Sequence, residues 1–188
     1  MTAFDVTPTP LAGLMLVTRR RRDDTRGFFS RFFCTQEMAE LGWRLPVAQV
    51  NHTLTRHSGA VRGLHFQHPP HAEDKYVSCL RGAVFDVAVD LRQGSPTFLS
   101  WHGETLSAEN GRSLLITQGF AHGFQALQPD SELIYLHSRP FAPEAEGGLH
   151  VSDPRLAIAW PQPVSELSER DARHPLLTDA FNGVGCLA

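Results

Sequence analysis

The stretch of residues 61–75, VRGLHFQHPPHAEDK, holds the densest set of side chains able to do chemistry. His65, His68 and His71 follow one another at a spacing of three, and Lys75 ends the stretch. An imidazole transfers protons near neutral pH and is also a common metal ligand. On a strand, a spacing of three sends His65 and His68 to opposite faces, and the Pro-Pro turn separates His71 from both. The spacing therefore argues against a three-histidine metal site. It leaves His65 as a proton-transfer group or a hydrogen-bonded core histidine.

Lys75 is the only lysine of the chain, and the other 16 of its 17 basic residues are arginines. An ammonium is a compact point charge, whereas a guanidinium is planar and permanently charged, so a single retained lysine marks a place where arginine does not serve. Tyrosine is equally scarce: Tyr76 and Tyr135 stand against 12 phenylalanines. These counts single out Lys75 and the two hydroxyls as candidates for function.

Two further clusters are open to more than one interpretation. The segment 119–124, GFAHGF, places glycines around His122, which indicates either a close approach to a ligand or a tight corner of a barrel. The segment 165–171, SELSERD, has the start signal of a capped helix and supplies Asp171. The four arginines 19–22 are followed by two aspartates and lack interleaved aromatic residues, which favours a solvated edge over a nucleic-acid site.

Length and composition set the class of protein. A chain of 188 residues with 41% hydrophobic and 20% charged residues is typical of one globular domain, here residues 1–188. A net charge of −3 argues against nucleic-acid binding, and the absence of a long apolar run argues against a membrane span. Without a signal-peptide pattern, and with three widely spaced cysteines (Cys34, Cys79 and Cys186), the default location is a reducing cytoplasm. No P-loop, Rossmann glycine pattern or Gly-x-Ser-x-Gly elbow is present.

The elements that must position these residues are mostly short strands. The clearest is 83–91, AVFDVAVDL, whose alternation predicts a core face that begins at Ala83 and an opposite face that carries Asp86 and Asp90. Other predicted strands are 15–18, 28–33, 48–55, 76–81, 113–117, 123–127 and 132–138. Short helices are predicted at 35–41 and 165–173, and a tail from Asp153 onward is expected to pack back on the strands. Many short strands with little helix predict an all-β jelly-roll barrel.

Taken together, these motifs resemble the dTDP-4-dehydrorhamnose 3,5-epimerase family. The likeness rests on VRGLHFQ (61–67) with its Pro-Pro turn and Lys75, VFDVAVDLR (84–92), SPTF (95–98), LSAEN (106–110), GFAHGF (119–124), residues 24–29 and Trp160-Pro161. It extends from about residue 5 to about residue 177.

The resemblance implies a cupin-like jelly roll, usually a homodimer, that works without a metal or an organic cofactor. It implies action on a nucleotide-diphosphate sugar, dTDP-4-keto-6-deoxyglucose, with inversion at C3 and C5 on the route to dTDP-L-rhamnose. Position by position, His65 matches the general base and Asp171 the carboxylate that orients it. Lys75 matches the cation near the C4 oxygen of the substrate, and Tyr135 the general acid. Six residues match positions around the nucleotide, diphosphate and sugar: Arg26, Phe29, Gln49, Asn51, Arg62 and His122.

Three departures from the family pattern bear on the activity. Arg31 stands where many members have a glutamate close to the nucleotide base, and Phe141 where members with both inversions often have a second tyrosine beside the sugar. Thr117-Gln118 replaces a proline-containing approach to Gly119, which we expect to affect loop shape only. The first two departures keep a C3-only epimerase, or a different nucleotide sugar, as alternatives. A non-catalytic sugar-nucleotide-binding cupin and a metal-dependent cupin oxygenase are the further alternatives.

Overall fold

A computed structural model describes residues 2–185, so Cys186 lies outside the described residues. Its strands are β1 (Phe4–Pro8), β2 (Leu14–Arg19), β3 (Arg22–Asp24), β4 (Gly27–Phe29), β5 (Gln49–Thr55), β6 (Val61–Gln67), β7 (Lys75–Arg81), β8 (Ala83–Asp90), β9 (Trp101–Ser107), β10 (Arg112–Ile116), β11 (Phe120–Ala126), β12 (Ser131–His137) and β13 (Glu146–Gly148). One α-helix, α1 (Thr35–Glu40), and two single-turn 3₁₀ helices, Pro143–Ala145 and Asp171–Arg173, complete the described elements. No helix of residues 2–185 is long and apolar enough to cross a membrane.

The strands form two antiparallel sheets. The six-stranded sheet has the order β1-β2-β10-β7-β12-β5, the five-stranded sheet has the order β13-β6-β11-β8-β9, and β3 and β4 form a separate hairpin. Residues from the inner faces of both sheets share one buried cluster, which includes Val77 and Leu114 from the first sheet and Val84 and Phe124 from the second. This arrangement confirms the predicted all-β jelly roll.

The outer face of each sheet is also covered, in both cases by a segment with little regular secondary structure. The five-stranded sheet packs Leu64 and Val89 against Leu149 and Leu156 of the C-terminal segment, which confirms the predicted packing of the tail. The six-stranded sheet buries Tyr76 and Leu115 against Met38 of α1 and Trp43.

This covering corrects the assignment of faces on β8. The face that begins at Ala83 was predicted to be the core, but Val87 and Val89 belong to the cluster under the tail. The opposite face lies between the two sheets, and there Asp86 and Asp90 are fully buried. Alternation separates the two faces of a strand, but it does not tell which of two buried faces is the interior of the barrel.

The predicted strands agree with the structure to within a few residues at most places. The strand predicted at 28–33 ends at Phe29, and β1, β3, β6, β9 and β13 were not among the predicted strands. The helix predicted at 35–41 is confirmed as α1. The helix predicted at 165–173 is wrong, because only Asp171–Arg173 forms a single 3₁₀ turn. The start of this segment instead bonds to the barrel: the Val61 amide donates to the Glu166 carbonyl at 3.0 Å.

Candidate active site

A cavity of about 790 Å³ opens between the two sheets. Eight of the ten predicted site residues line it: His65, Lys75, Tyr135, Asp171, Gln49, Asn51, Arg62 and His122. Strand register brings most of them together. On the five-stranded sheet His65 of β6 pairs with His122 of β11. On the six-stranded sheet Tyr135 of β12 pairs with Asn51 of β5.

His65 is held by the 3₁₀ turn of the tail. Its Nε2 lies 2.9 Å from Oδ1 of Asp171, whose other oxygen accepts the Gly63 amide at 3.1 Å. Burial works to raise the pKa of Asp171, but the hydrogen bonds from His65 and Gly63 outweigh it and leave this pKa lowered. Asp171 is therefore a carboxylate near neutral pH. It accepts the Nε2 proton and leaves the Nδ1 lone pair of His65 free to take a proton.

Arg170 contacts the same pair. Its Nε lies 3.1 Å from Oδ1 of Asp171, its Nη2 lies 2.9 Å from Nε2 of His65, and its Nη1 lies 3.0 Å from Glu146. Nε2 cannot donate to Asp171 and accept from Arg170 at the same time. Because Asp171 is charged and nearly fully buried, whereas the Arg170 side chain is 54% exposed, we assign the Nε2 proton to the bond with Asp171.

Lys75 enters the cavity from the start of β7. It is 8% exposed, and its ammonium lies 3.0 Å from Glu73 and 3.5 Å from the carbonyl of His65. Glu73 also accepts a hydrogen bond from Gln67 at 2.8 Å. The sequence interpretation missed Glu73. Its position two residues before Lys75, a spacing that puts two side chains on one side of an extended chain, is the signal that could have found it.

Tyr135 brings a hydroxyl into the cavity from the opposite sheet. It is 9% exposed, and its hydroxyl lies 3.3 Å from Oγ1 of Thr53. Burial raises the pKa of Tyr135, so the hydroxyl carries its proton throughout the ordinary pH range. Such a group can donate a proton but does not act as a free base.

His122 and Arg62 are anchored from behind. His122 Nε2 lies 2.9 Å from Asp86. Asp86 is the buried carboxylate that the sequence had predicted to lie on the face of β8 away from the core. Arg62 donates to Oγ1 of Thr55 at 3.0 Å and to the carbonyl of Leu54 at 3.2 Å. These contacts fix both side chains at the wall of the cavity.

His137 was not predicted as a site residue, although it shares one face of β12 with Tyr135. It lines the cavity, and its Nε2 lies 3.3 Å from the Asn51 amide. Burial, reinforced by the Lys75 ammonium, lowers the pKa of His137 to about 4. His137 is therefore neutral at pH 7 and adds a polar but uncharged group beside Lys75.

The structure does not bring Arg26 and Phe29 to the cavity of their own chain. Both lie on the β3–β4 hairpin, where Arg26 pairs with Asp24 at 2.6 Å and Phe29 is 70% exposed. Arg31 likewise lies outside the lining residues and pairs with Glu37 at 2.7 Å. Phe141 does line the cavity, and its amide donates to the side chain of Gln49 at 2.9 Å.

The three histidines of residues 61–75 do not gather around one point. His68 packs on the ring of Phe66, and His71 approaches Glu144 at 3.8 Å. Among residues 2–185, the group of side chains with the spacing of metal ligands is instead His65, Asp171 and His174, whose donor atoms lie within 4.8 Å of one another. His174 was not singled out from the sequence, because no local pattern connects it with residue 65.

Comparison with known proteins gives a consistent result. A family model described as dTDP-4-dehydrorhamnose 3,5-epimerase matches residues 8–179. The dTDP-4-dehydrorhamnose 3,5-epimerase of Salmonella typhimurium is 41% identical over 178 residues, which cover 94% of this chain and 97% of that relative. The dTDP-4-dehydrorhamnose 3-epimerase of Streptomyces niveus is also 41% identical, over 174 residues that cover 92% of this chain and 84% of the relative.

A solved structure gives the same result for the fold. The dTDP-6-deoxy-D-glucose-3,5-epimerase of Legionella pneumophila, in complex with dTDP-4-keto-L-rhamnose, superposes with a TM-score of 0.90 at 39% identity. The match covers 98% of this chain and 100% of that chain. The cupin-like barrel is therefore a fold that this chain shares with a sugar-nucleotide epimerase.

Proposed function

The chain belongs to the dTDP-4-dehydrorhamnose 3,5-epimerase family, and from this premise we propose how its cavity inverts a sugar. The enzyme is an isomerase that converts dTDP-4-keto-6-deoxyglucose to dTDP-4-keto-L-rhamnose by inversion at C3 and C5. The observation that carries the proposal is the placement of His65 and Tyr135. His65 projects from the five-stranded sheet and Tyr135 from the six-stranded sheet, so they approach a sugar between the sheets from different sides.

The first step is removal of a proton next to the ketone. The C4 carbonyl acidifies the hydrogens at C3 and C5, and the Nδ1 lone pair of His65 accepts one of them. The electron pair of the broken C–H bond moves to the C4 oxygen and gives an enolate. Asp171 supports this step because it holds the other proton of the ring on Nε2 and stabilises the imidazolium that forms.

Lys75 lowers the energy of the enolate. Its ammonium is held by Glu73 at 3.0 Å before substrate arrives, so little reorganisation is needed when charge develops on the C4 oxygen. Tyr135 then donates its proton to the carbon from the opposite face, the enolate electrons return to carbon, and the configuration is inverted. Solvent returns the proton that Tyr135 gives up and removes the one that His65 takes, so the site is ready for the second centre.

We propose that the functional unit is a homodimer. Arg26 and Phe29 match nucleotide-binding positions of the family, yet they lie on a hairpin outside the cavity of their own chain. Phe28 and Phe29 are 54% and 70% exposed, and β5, the edge strand of the six-stranded sheet, exposes Val50. A second copy would cover these apolar side chains, and its hairpin would supply Arg26 and Phe29 to the neighbouring cavity.

A C3-only epimerase is the second candidate. Phe141 lines the cavity without a hydroxyl, and a 3-epimerase relative is as similar to this chain as the 3,5-epimerase of Salmonella typhimurium. Overall identity therefore does not separate C3-only from C3 and C5 inversion. We attribute the difference to how the sugar turns between the two steps.

Proton NMR of dTDP-4-keto-6-deoxyglucose incubated with the protein in deuterated water tests the proposal. Each inversion replaces a carbon-bound proton by solvent deuterium, so we expect the C3 and C5 signals both to disappear. Loss of the C3 signal alone would identify the C3-only enzyme. His65→Ala is the matched negative control and should retain both signals. Retention of both signals by the wild type would contradict catalysis on this sugar.

A further inference from the structure

We propose that His65, Asp171 and His174 form a zinc site that switches off the catalytic base. The donor set is two imidazoles and one carboxylate, which suits Zn²⁺ and leaves a fourth position for water. The chain thereby holds, beside its proposed catalytic dyad, a third ligand that the epimerisation does not use.

The distances suit a tetrahedral ion. Nε2 of His65 lies 2.9 Å and Nε2 of His174 lies 3.7 Å from Oδ1 of Asp171, and all three donor atoms lie within 4.8 Å of one another. Two ligand atoms at about 2.1 Å from one zinc ion are about 3.4 Å apart in a tetrahedral site. The site therefore needs side-chain shifts but no rearrangement of the strands.

His174 is held where a ligand is needed. Its side chain is 13% exposed, and its Nε2 is a buried atom that makes no hydrogen bond to the described residues. The ring packs on Gly148, where a Cβ would come within 2.2–2.4 Å of three of its atoms. Gly148 is paired with His65 across β13 and β6, so this packing sets the His174 ring edge to face with His65 at 5.5 Å. A buried nitrogen that makes no hydrogen bond, and that lies beside a carboxylate, is a group for which a metal would supply the missing contact.

Arg170 competes with the ion. Its guanidinium lies against both His65 Nε2 and Asp171 Oδ1, so zinc binding requires it to turn away. Its side chain is 54% exposed and its third contact is to Glu146, so the outward position is open to it. The competition predicts that removal of the Arg170 charge strengthens zinc binding.

The consequence for catalysis follows from the tautomer of His65. A neutral imidazole that gives its Nε2 lone pair to zinc keeps its one proton on Nδ1. It then has no lone pair to accept a proton from the sugar, and Asp171 is occupied by the ion. This inhibitory effect rests on the proposed function of His65, whereas the binding of zinc does not.

Titration calorimetry of the full-length, tag-free protein with ZnCl₂ in a non-coordinating buffer tests the site. We expect one ion per chain with a micromolar or tighter Kd. His174→Ala should weaken binding by at least about 100-fold, and Arg170→Gln should tighten it. His71→Ala serves as the matched control and should bind as the wild type does. Visible absorption of the Co²⁺-loaded protein should show the intense bands of a tetrahedral ion, lost in His174→Ala.

The inhibition is measured by deuterium exchange into the sugar. Equimolar Zn²⁺ should stop exchange by the wild type, EDTA should restore it, and His174→Ala should exchange normally with or without the ion. Absence of binding, or equal binding by the wild type and a folded His174→Ala or His174→Gln, would overturn the site. Binding that depends on His174 without loss of exchange would leave the site standing and contradict His65 as the base.

Discussion

Nε2 of His65 lies 2.9 Å from Oδ1 of Asp171, although 106 positions of the chain separate the two residues. His65 belongs to the middle of a barrel strand, and Asp171 to a 3₁₀ turn of the tail. The contact gives the tail a chemical role as well as a packing role, because it decides which ring nitrogen of His65 is free. The barrel alone would present an imidazole with no preferred tautomer.

Asp171→Asn should lower the rate of deuterium exchange roughly 10²- to 10⁴-fold, because an amide can donate to Nε2 and so favour the tautomer with its proton on Nδ1. The measurement is exchange at C3 by proton NMR, with Tm recorded in parallel. Asp179→Asn, a fully exposed carboxylate of the same tail, is the control and should exchange as the wild type does. Normal exchange by Asp171→Asn would remove Asp171 from the mechanism.

Lys75→Arg should lose most turnover although it keeps the charge. Lys75 is 8% exposed and in contact with Glu73, so a longer, planar guanidinium cannot place one donor at the same point. We expect kcat to fall about 100-fold or more, as for the loss of one oxyanion donor. Arg81→Lys, on the exposed end of the same strand, controls for general effects of the exchange. A near-normal kcat would rule out the proposed role of Lys75.

Phe141→Tyr should raise the rate of exchange at C5 relative to that at C3. Phe141 lines the cavity, and a hydroxyl there would give the sugar a polar contact during the turn between the two steps. The two rates are read from the same NMR time course, so enzyme concentration cancels in their ratio. An unchanged ratio would show that Phe141 does not control the second inversion.

His137 should make the free energy of unfolding depend on pH. Its pKa is about 4 in the folded chain against an ordinary value of 6.5, so the folded chain binds fewer protons than the unfolded chain between these values. The contribution of His137 to the free energy of unfolding therefore falls as the pH falls from about 6.5 towards 4. Between pH 7 and pH 4.5 the loss is about 2 kcal/mol. Urea unfolding at both pH values should show a smaller loss for His137→Asn than for the wild type. Equal losses would contradict the burial of a neutral imidazole.

Two inactive variants should restore activity to each other if the hairpin acts across a dimer. His65→Asn lacks the base but keeps the hairpin, and the double variant Arg26→Ala/Phe29→Ala keeps the base but lacks the hairpin contacts. After mixing and exchange of subunits, about a quarter of all cavities would combine an intact base with an intact hairpin. Exchange activity near that fraction of the wild type is expected. No recovery in a mixture shown by light scattering to contain dimers would contradict a shared site.

The sequence by itself determined the class of fold and most of the chemistry. Period-two alternation predicts β8 and places Tyr135 and His137 on one face of β12, because residues that share a face of a strand follow directly from the geometry of an extended backbone. The single lysine and the scarce tyrosines pointed to Lys75, Tyr76 and Tyr135 from composition alone, and of these Lys75 and Tyr135 line the cavity. His65 was a candidate from its own motif.

Only the tertiary structure decided which groups meet. Asp86 is buried between the two sheets and the tail covers the other face of β8, so both faces are buried and no local pattern distinguishes them. Asp171 and His174 reach His65 because the tail crosses the sheet at that point, and Phe29 stays outside the cavity because its hairpin leaves the barrel. Such contacts depend on where distant segments cross, whereas alternation and composition describe only neighbours along the chain.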